Sequence, residues 1–173
     1  SGSDASNMNT IAVKDGKNYI LNGTKNWVTN GLHSDYVLLF AITEKGVGHK
    51  GISCFLVDKK NNGFDVGKPE DKLGIRSSDT TELYFDNVHV PETHLIGREG
   101  DGFKIALSTL DGGRIGIAAQ ALGIAQASLD NSILYSKERE QFGKPISVNQ
   151  SIQNKLANMA IEIESARLLV YKA

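Results

Sequence analysis

The chain has 173 residues, which is room for one large domain or two small ones. Hydrophobic residues make up 40 % and charged residues 23 %, a composition typical of a globular protein and not of a disordered one. The formal net charge of −1 argues against a nucleic-acid-binding domain, which would carry a basic excess. No apolar stretch reaches the roughly 20 residues that span a bilayer, and the histidines show no metal-ligand spacing. The single cysteine, Cys54, cannot form an internal disulfide and predicts a reducing compartment.

Residues 9 to about 96 carry a β pattern. Asp15-Gly16 predicts a tight hairpin, because glycine readily adopts the positive φ that such turns require. Short runs rich in Val, Ile, Tyr and Phe predict eight strands, at residues 10–13, 19–21, 25–29, 36–42, 52–57, 64–66, 81–85 and 88–90. Because no helix separates them, we expect an antiparallel β-sandwich or barrel.

After Gly97 the apolar residues recur at helical spacing. The pattern predicts one helix of more than thirty residues that ends near Arg139, a turn, and a second helix from about Ser147 to the end of the chain. Glycines inside the first helix indicate close approach of another backbone or a ligand; they are Gly112, Gly113, Gly116 and Gly123. Two such helices form half of a four-helix bundle, whose other half we expect from sequence outside this chain or from another subunit. The predicted class is α+β, with a β domain at 1–97 and a truncated helical domain at 98–173.

Six sequence motifs, in order and over almost the whole chain, resemble the acyl-CoA dehydrogenase family, and the short-chain (butyryl-CoA) branch most. They are GSD at 2–4, LNGTKNWVTN at 21–30, DKLGIRSSDT at 71–80, YFDNVHVP at 84–91, GFKIALSTLDGGRIGIAAQALGIAQ at 102–126 and REQFGKP at 139–145.

The resemblance implies a fold in which an N-terminal helical domain, a middle β domain and a C-terminal four-helix domain enclose FAD. It implies α,β-dehydrogenation of acyl-CoA thioesters in fatty acid β-oxidation, with electrons passed to an electron-transferring flavoprotein. A homotetramer, or at least a dimer, is expected. The protein would lie in the cytoplasm if bacterial and in the mitochondrial matrix if eukaryotic.

Trp27 and Thr29 alternate on one predicted strand, so we expect their side chains on the same side. The resemblance implies that Trp27, Val28 and Thr29 lie against the flavin ring. The alternative is that Trp27 belongs to the core and Thr29 is only a good strand former. Ser3, in the GSD motif, is implied to lie near the FAD pyrophosphate and the thioester arm of the acyl-CoA, or else it caps a turn.

Asp111 and Arg114 are three residues apart and therefore share a helix face. They form either a simple intrahelical ion pair or, as the resemblance implies, part of the acyl-CoA channel, where Gly112 and Gly113 let the ligand approach. Removal of an α proton requires a base, and some family members place a Glu at the position of Gly113. Glycine cannot serve, so the base is expected in a later EGT-type motif that this chain lacks. We therefore expect the isolated chain to be inactive.

Arg139, Gln141 and Phe142 follow the first helix. Arginine can bind phosphate with two parallel bonds, and the resemblance implies that this string reaches the ADP part of FAD in a neighbouring subunit. The alternative for Arg139 is a favourable interaction with the helix C-terminus. Gln150 is either an FAD contact or the end of a Ser147-x-x-Gln150 capping box.

Arg76, in the DKLGIRSSDT motif, has no role that its spacing supports. Two rival functions remain open at this point. One is a flavin oxidase on the same scaffold, acting on acyl-CoA or nitroalkanes. The other is a non-catalytic β module used in assembly.

Overall fold

The computed structural model describes residue 2 and residues 4–173. The chain forms two compact units, the first ending at Leu107 and the second comprising Ser108–Ala173. The first unit contains a seven-stranded sheet. Its strands are β1 (Ile11–Asp15), β2 (Asn18–Thr29), β3 (Tyr36–Ile42), β4 (Ile52–Asp58), β5 (Phe64–Val66), β6 (Thr80–Pro91) and β7 (Leu95–Ile96).

The strands lie in the order β5-β6-β2-β1-β3-β4-β7. All neighbouring strands are antiparallel except β1 and β3, which pair in parallel where Ile11 lies opposite Ile42. The predicted α+β class is confirmed, but the sheet is mixed. The barrel alternative is wrong, because the described strands form an open sheet with β5 and β7 at its two edges.

Two pairs of predicted strands are in fact two long strands. The segments predicted at 19–21 and 25–29 both belong to β2, and those at 81–85 and 88–90 both belong to β6. Register shifts absorb the breaks in the pattern, the first between Leu21 and Gly23. There the backbone N–H of Asn87 donates to Asn22 Oδ1 at 2.8 Å, so a side chain replaces a ladder bond. The predicted hairpin is confirmed, with Asp15 paired to Asn18 around Gly16 at φ 59°.

The core of the first unit is an apolar cluster to which strands β1 to β6 all contribute. In β3 the buried residues alternate, at Leu39 and Ala41, whereas β4 is buried at every residue from Ile52 to Phe55 and again at Val57. Tyr19 is also buried and its hydroxyl bonds the Glu99 carboxylate. Burial, together with that bond, raises the pKa of Tyr19 to about 12.

The second unit is helical. Helix α1 (Gly102–Glu138) begins in the first unit and continues into the second, as the sequence predicts. A two-stranded hairpin follows, β8 (Glu140–Gln141) and β9 (Lys144–Pro145). Helix α2 (Gln150–Lys172) begins three residues later than predicted, because Ile146–Val148 forms a 3₁₀ turn.

Within the second unit α1 and α2 pack through one apolar cluster. Leu122, Leu129 and Ile163 are buried at its centre. Other apolar side chains of α1 are uncovered in the described chain: Ile117 is 66 % and Ile124 is 63 % exposed. This exposure agrees with half of a bundle, in which two helices cannot cover each other completely.

Candidate functional site

Trp27 lies at an irregularity of β2. The pairing of β2 with β6 shifts between Lys25 and Val28, and Trp27 has a left-handed backbone with φ 58°. A bulky residue rarely adopts this conformation, and such strain is concentrated at functional sites. The indole is 67 % exposed, so the core alternative for Trp27 is wrong. The bulge also interrupts the simple alternation from which the sequence placed Trp27 and Thr29 on one side.

A cavity of about 830 Å³ lies beside the indole. Its size is within the range of ordinary ligand sites. Most of its wall is polar, with three asparagines, two threonines and single Lys, Glu and Tyr side chains; the lining residues are Gly2, Asn7, Met8, Asn9, Thr10, Thr24, Lys25, Asn26, Trp27, Glu82 and Tyr84. An exposed ring at the edge of a polar cavity suits a ligand that joins a flat aromatic system to hydrogen-bonding groups.

The other two members of the predicted flavin tripeptide differ from Trp27. Val28 is half-buried and packs against the core of the first unit. Thr29 is exposed at the end of β2 and is not among the residues that line the cavity. The turn after it is fixed by Asp79, whose carboxylate accepts a 2.8 Å bond from the backbone N–H of Leu32. The structure therefore brings Trp27, but not Thr29, to the cavity.

Lys25 and the pair Glu82 and Tyr84 were not singled out from the sequence. Burial lowers the pKa of Lys25 to about 8. The Tyr84 hydroxyl bonds the Glu82 carboxylate, and this bond raises the pKa of the tyrosine. No local pattern marks these residues, because each reaches the cavity through the pairing of β2 with β6, and Lys25 lies opposite Leu83 in that register.

In the second unit Asp111 and Arg114 form an ion pair, with Arg114 Nη1 3.3 Å from Asp111 Oδ1. Both side chains are 72 % exposed, so the pair contributes little to stability and both groups are accessible to a ligand. No described atom lies within 4 Å of where a Cβ would be at Gly112 or Gly113. The helix face at these glycines is open.

The hairpin after α1 brings together three predicted nucleotide contacts. Arg139, Gln141 and Phe142 are all exposed, Phe142 completely so at 102 %. Phe142 and Gly143 form a two-residue loop with φ 53° and 71°, the pattern of a type I′ turn. Phenylalanine at such a position is strained. The hairpin thus holds an aromatic ring in water at an energetic cost.

Gln150 is exposed and is the first residue of α2. The capping-box alternative is wrong: the N-cap is Asn149, and no side chain caps the helix. Instead Gln153 Nε2 donates to the Ser147 carbonyl oxygen at 2.9 Å. The other predicted phosphate contact, Ser3, lies outside the described residues.

Comparison with known proteins identifies the family. A profile for the acyl-CoA dehydrogenase middle domain matches residues 1–88, and one for the acyl-CoA dehydrogenase C-terminal domain matches residues 100–173. The chain belongs to the acyl-CoA dehydrogenase family. It is 55 % identical to an acyl-CoA dehydrogenase of Bacillus subtilis over 173 residues, which cover 100 % of this chain and 46 % of that protein. The chain therefore spans less than half the length of this relative.

Solved structures of acyl-CoA dehydrogenases share the fold. The butyryl-CoA dehydrogenase of Megasphaera elsdenii matches with a TM-score of 0.97 and 53 % identity, covering 99 % of this chain and 45 % of that one. A chain from a structure of the electron transferring flavoprotein of Acidaminococcus fermentans matches with a TM-score of 0.96 and 54 % identity, again over 99 % and 45 %. The predicted resemblance to short-chain members is confirmed.

The structure gives a local role to Arg76 of the acyl-CoA dehydrogenase motif at 71–80. Its Nη1 donates to the Lys72 carbonyl oxygen at 2.7 Å, and its Nη2 lies 2.7 Å from Asp71 Oδ1. Lys72 Nζ in turn donates to the Ser78 carbonyl oxygen at 2.6 Å. Arg76 therefore braces the loop between β5 and β6, a role that spacing alone could not reveal.

Among the described residues, no group of three or more His, Cys, Asp or Glu side chains is arranged to hold a metal ion. Neither α1 nor α2, over the residues that the structure describes, has the apolar length needed to cross a membrane.

Proposed function

We propose that this chain supplies part of the flavin site and part of the acyl-CoA channel of an FAD-dependent acyl-CoA dehydrogenase with a preference for short-chain thioesters. The observation that carries the proposal is the exposed, strained indole of Trp27 beside the 830 Å³ cavity. Family membership supports the reaction class, and the short-chain members among the relatives support the substrate.

In the first unit, Trp27 would pack against the isoalloxazine ring, with Val28 and Thr29 holding the strand end beside it. The polar side chains of the cavity wall would bind the parts of FAD that form hydrogen bonds. Ser3 is proposed for the pyrophosphate. The residues present fit FAD. The indole of Trp27 is exposed, and packing of the core does not explain its strained backbone, so the strain agrees with a role in ligand binding.

In the second unit, Asp111 and Arg114 would line the channel for the acyl-bearing end of the substrate. Both are exposed and can exchange their mutual ion pair for ligand contacts. The open helix face at Gly112 and Gly113 would let the thioester arm lie against the α1 backbone.

The chemistry requires two things at adjacent carbons. Bound FAD would accept a hydride from the β carbon, and a carboxylate would remove the α proton. Gly113 has no side chain and cannot be that base, and we propose that a carboxylate elsewhere in the full-length protein removes the proton. We therefore propose that the chain alone binds and orients ligands without completing the reaction.

The exposed hairpin would act between subunits. Arg139, Gln141 and Phe142 would contact the ADP part of FAD held by a neighbour, which requires a dimer or tetramer; Gln150 is proposed as a further FAD contact. An electron-transferring flavoprotein is the proposed electron acceptor, supported by the similar chain in the structure of the Acidaminococcus fermentans flavoprotein. The proposed location is the bacterial cytoplasm or the mitochondrial matrix.

Fluorescence of the full-length protein tests the proposal. FAD added to the flavin-free protein should quench the fluorescence of Trp27. The difference in emission between the wild type and a Trp27→Phe variant gives the part that Trp27 contributes. Trp27→Ala should bind FAD about tenfold more weakly, since stacking on an aromatic side chain contributes about 1 to 3 kcal/mol. Tyr36→Ala removes another exposed ring of the same sheet and should leave binding unchanged. Equal FAD affinity in Trp27→Ala and the wild type would contradict the proposal.

Substrate class is tested on the FAD-bound full-length protein without oxygen. Butyryl-CoA should bleach the flavin absorbance faster than palmitoyl-CoA does. Admission of air separates the dehydrogenase from the oxidase alternative, because a dehydrogenase should be reoxidised slowly by oxygen and rapidly by its protein acceptor.

A further inference from the structure

Lys25 lies where two cavities share a wall. Besides the 830 Å³ cavity, it lines a smaller one of about 240 Å³, and Met8 and Asn26 also contribute to both. Apart from Lys25 and Asn26 the residues around the smaller cavity are apolar; they are Ala5, Met8, Val28, Val37, Leu38, Leu39, Phe40, Leu83 and Ala106. Lys25 is the one charged residue among them.

The ammonium group of Lys25 has no ion-pair partner among the described residues. Glu82, which lines the larger cavity, already accepts a bond from the Tyr84 hydroxyl. Burial alone lowers the pKa of Lys25, so no carboxylate offsets the loss of water around the charge. A half-buried cation without a partner is costly, and it attracts a negative charge that enters the cavity.

We propose that Lys25 is a positioning residue whose ammonium group stabilises the negative charge that the flavin acquires on reduction. The inference rests on the proposed function. When the β C–H bond of the substrate breaks, its electron pair leaves with the hydrogen as a hydride, while the α proton goes to the base. The ring system that accepts the hydride gains one negative charge. Lys25, on the same cavity wall as Trp27, is placed to offset that charge.

The experiment measures the two-electron reduction potential of FAD in the full-length protein without substrate. Lys25→Met keeps the side-chain length and removes the charge, so the reduced form should bind about tenfold more weakly relative to the oxidised form, which lowers the potential by about 30 mV. Lys25→Arg keeps the charge and should stay within about twofold of the wild type. Lys60→Met removes an exposed lysine that lines neither cavity and should change nothing.

A second measurement decides the matter if Lys25→Met does not retain FAD. By reciprocity, reduction of the flavin should raise the pKa of the wild-type Lys25 amine by about one unit, which NMR of ¹³C-dimethylated lysine can follow. The resonance of Lys25 is identified by its absence from the spectrum of Lys25→Arg. An unchanged potential in Lys25→Met, or an unchanged pKa on reduction, overturns the inference while FAD binding stands. A wild-type protein that binds no FAD overturns the proposed function itself.

Discussion

Arg167 joins the two long helices of the second unit: its Nη2 donates to Gln126 Oε1 at 2.6 Å. The contact belongs to a short polar chain. Gln126 Nε2 donates to Asp130 Oδ1 at 2.8 Å, and Arg167 Nε donates to Glu164 Oε1 at 3.1 Å. Apolar contacts alone would let the two helices slide past each other. These hydrogen bonds therefore fix the register in which α1 packs against α2.

A double-mutant cycle tests the bond between Arg167 and Gln126. Arg167→Met and Gln126→Leu should each lower the free energy of unfolding of the full-length protein, and the coupling energy should be about 1 kcal/mol. The measurement is urea denaturation of both single variants and the double variant. Glu164→Gln is the control: Glu164 is 64 % exposed, so its loss should cost less than about 0.5 kcal/mol. Strict additivity of the two substitutions would contradict a direct coupling.

The sequence predicts the parts of the fold that depend on neighbours along the chain. The Asp15-Gly16 turn and the length of α1 follow from local backbone preferences and helical spacing. The merging of strands into β2 and β6 does not, because a register shift is set by a partner strand some sixty residues away. The 3₁₀ turn at Ile146–Val148 likewise replaced the predicted cap of α2.

The candidate site shows the same division. Trp27 could be predicted as a ligand contact through the motif around it, and its exposure agrees with that prediction. Its strained backbone and the position of Lys25 at the cavity wall could not be predicted, since both arise from the pairing of β2 with β6. The sequence places Arg76 in a family motif, but its hydrogen bond to the Lys72 carbonyl depends on the fold of the loop and could not be predicted.

Substitution of Gly113 should separate stability from substrate binding. Gly113→Ala should raise the free energy of unfolding by up to about 1 kcal/mol, because the Cβ meets no described atom and alanine favours the helix. The same methyl group should crowd a ligand lying against α1, at a cost of about 1 to 3 kcal/mol, which weakens acyl-CoA binding by about 5- to 150-fold. Chemical denaturation and substrate titration measure the two effects.

Gly123→Ala is the matched control for Gly113→Ala. It lies on the same helix, also has open space at its Cβ position, and is outside the proposed channel. It should stabilise the protein by a similar amount and leave acyl-CoA affinity unchanged. If both variants weaken acyl-CoA binding equally, or neither does, Gly113 does not line the channel.

Phe142 should show an exchange of stability for nucleotide binding. Phe142→Asn places Asn-Gly, the preferred pair for a type I′ turn, in the loop between β8 and β9 and should stabilise the protein by about 0.5 to 1 kcal/mol. It should also weaken FAD retention, since the exposed ring is lost from the hairpin. Phe142→Tyr keeps a ring and the strain, so it should retain FAD and gain no stability. If Phe142→Asn binds FAD as tightly as the wild type does, Phe142 is not an FAD contact.

Lys25 gives the fold a specific dependence on pH. Its pKa is about 8 in the folded chain and 10.5 ordinarily, so below pH 8 the amine is charged in both states and burial of that charge lowers stability. Between pH 8 and 10.5 only the unfolded state keeps the proton, so stability rises with pH by at most about 1.4 kcal/mol per unit. Flavin-free Lys25→Met lacks this titration. Its stability advantage at pH 7 should therefore shrink by about 2 kcal/mol by pH 10.5, less than the full shift implies because Lys25 keeps some contact with water.

Urea denaturation of the flavin-free full-length protein at several pH values measures this difference. Tyr19 and Tyr84 also titrate at high pH, but they are present in both proteins and cancel when the two are subtracted. Lys60→Met, at an exposed position, is the control for removal of a lysine charge as such. A constant difference for Lys25→Met would mean that the ammonium group is fully hydrated. The charge would then be too well screened by water to act on a flavin in the larger cavity beside Trp27.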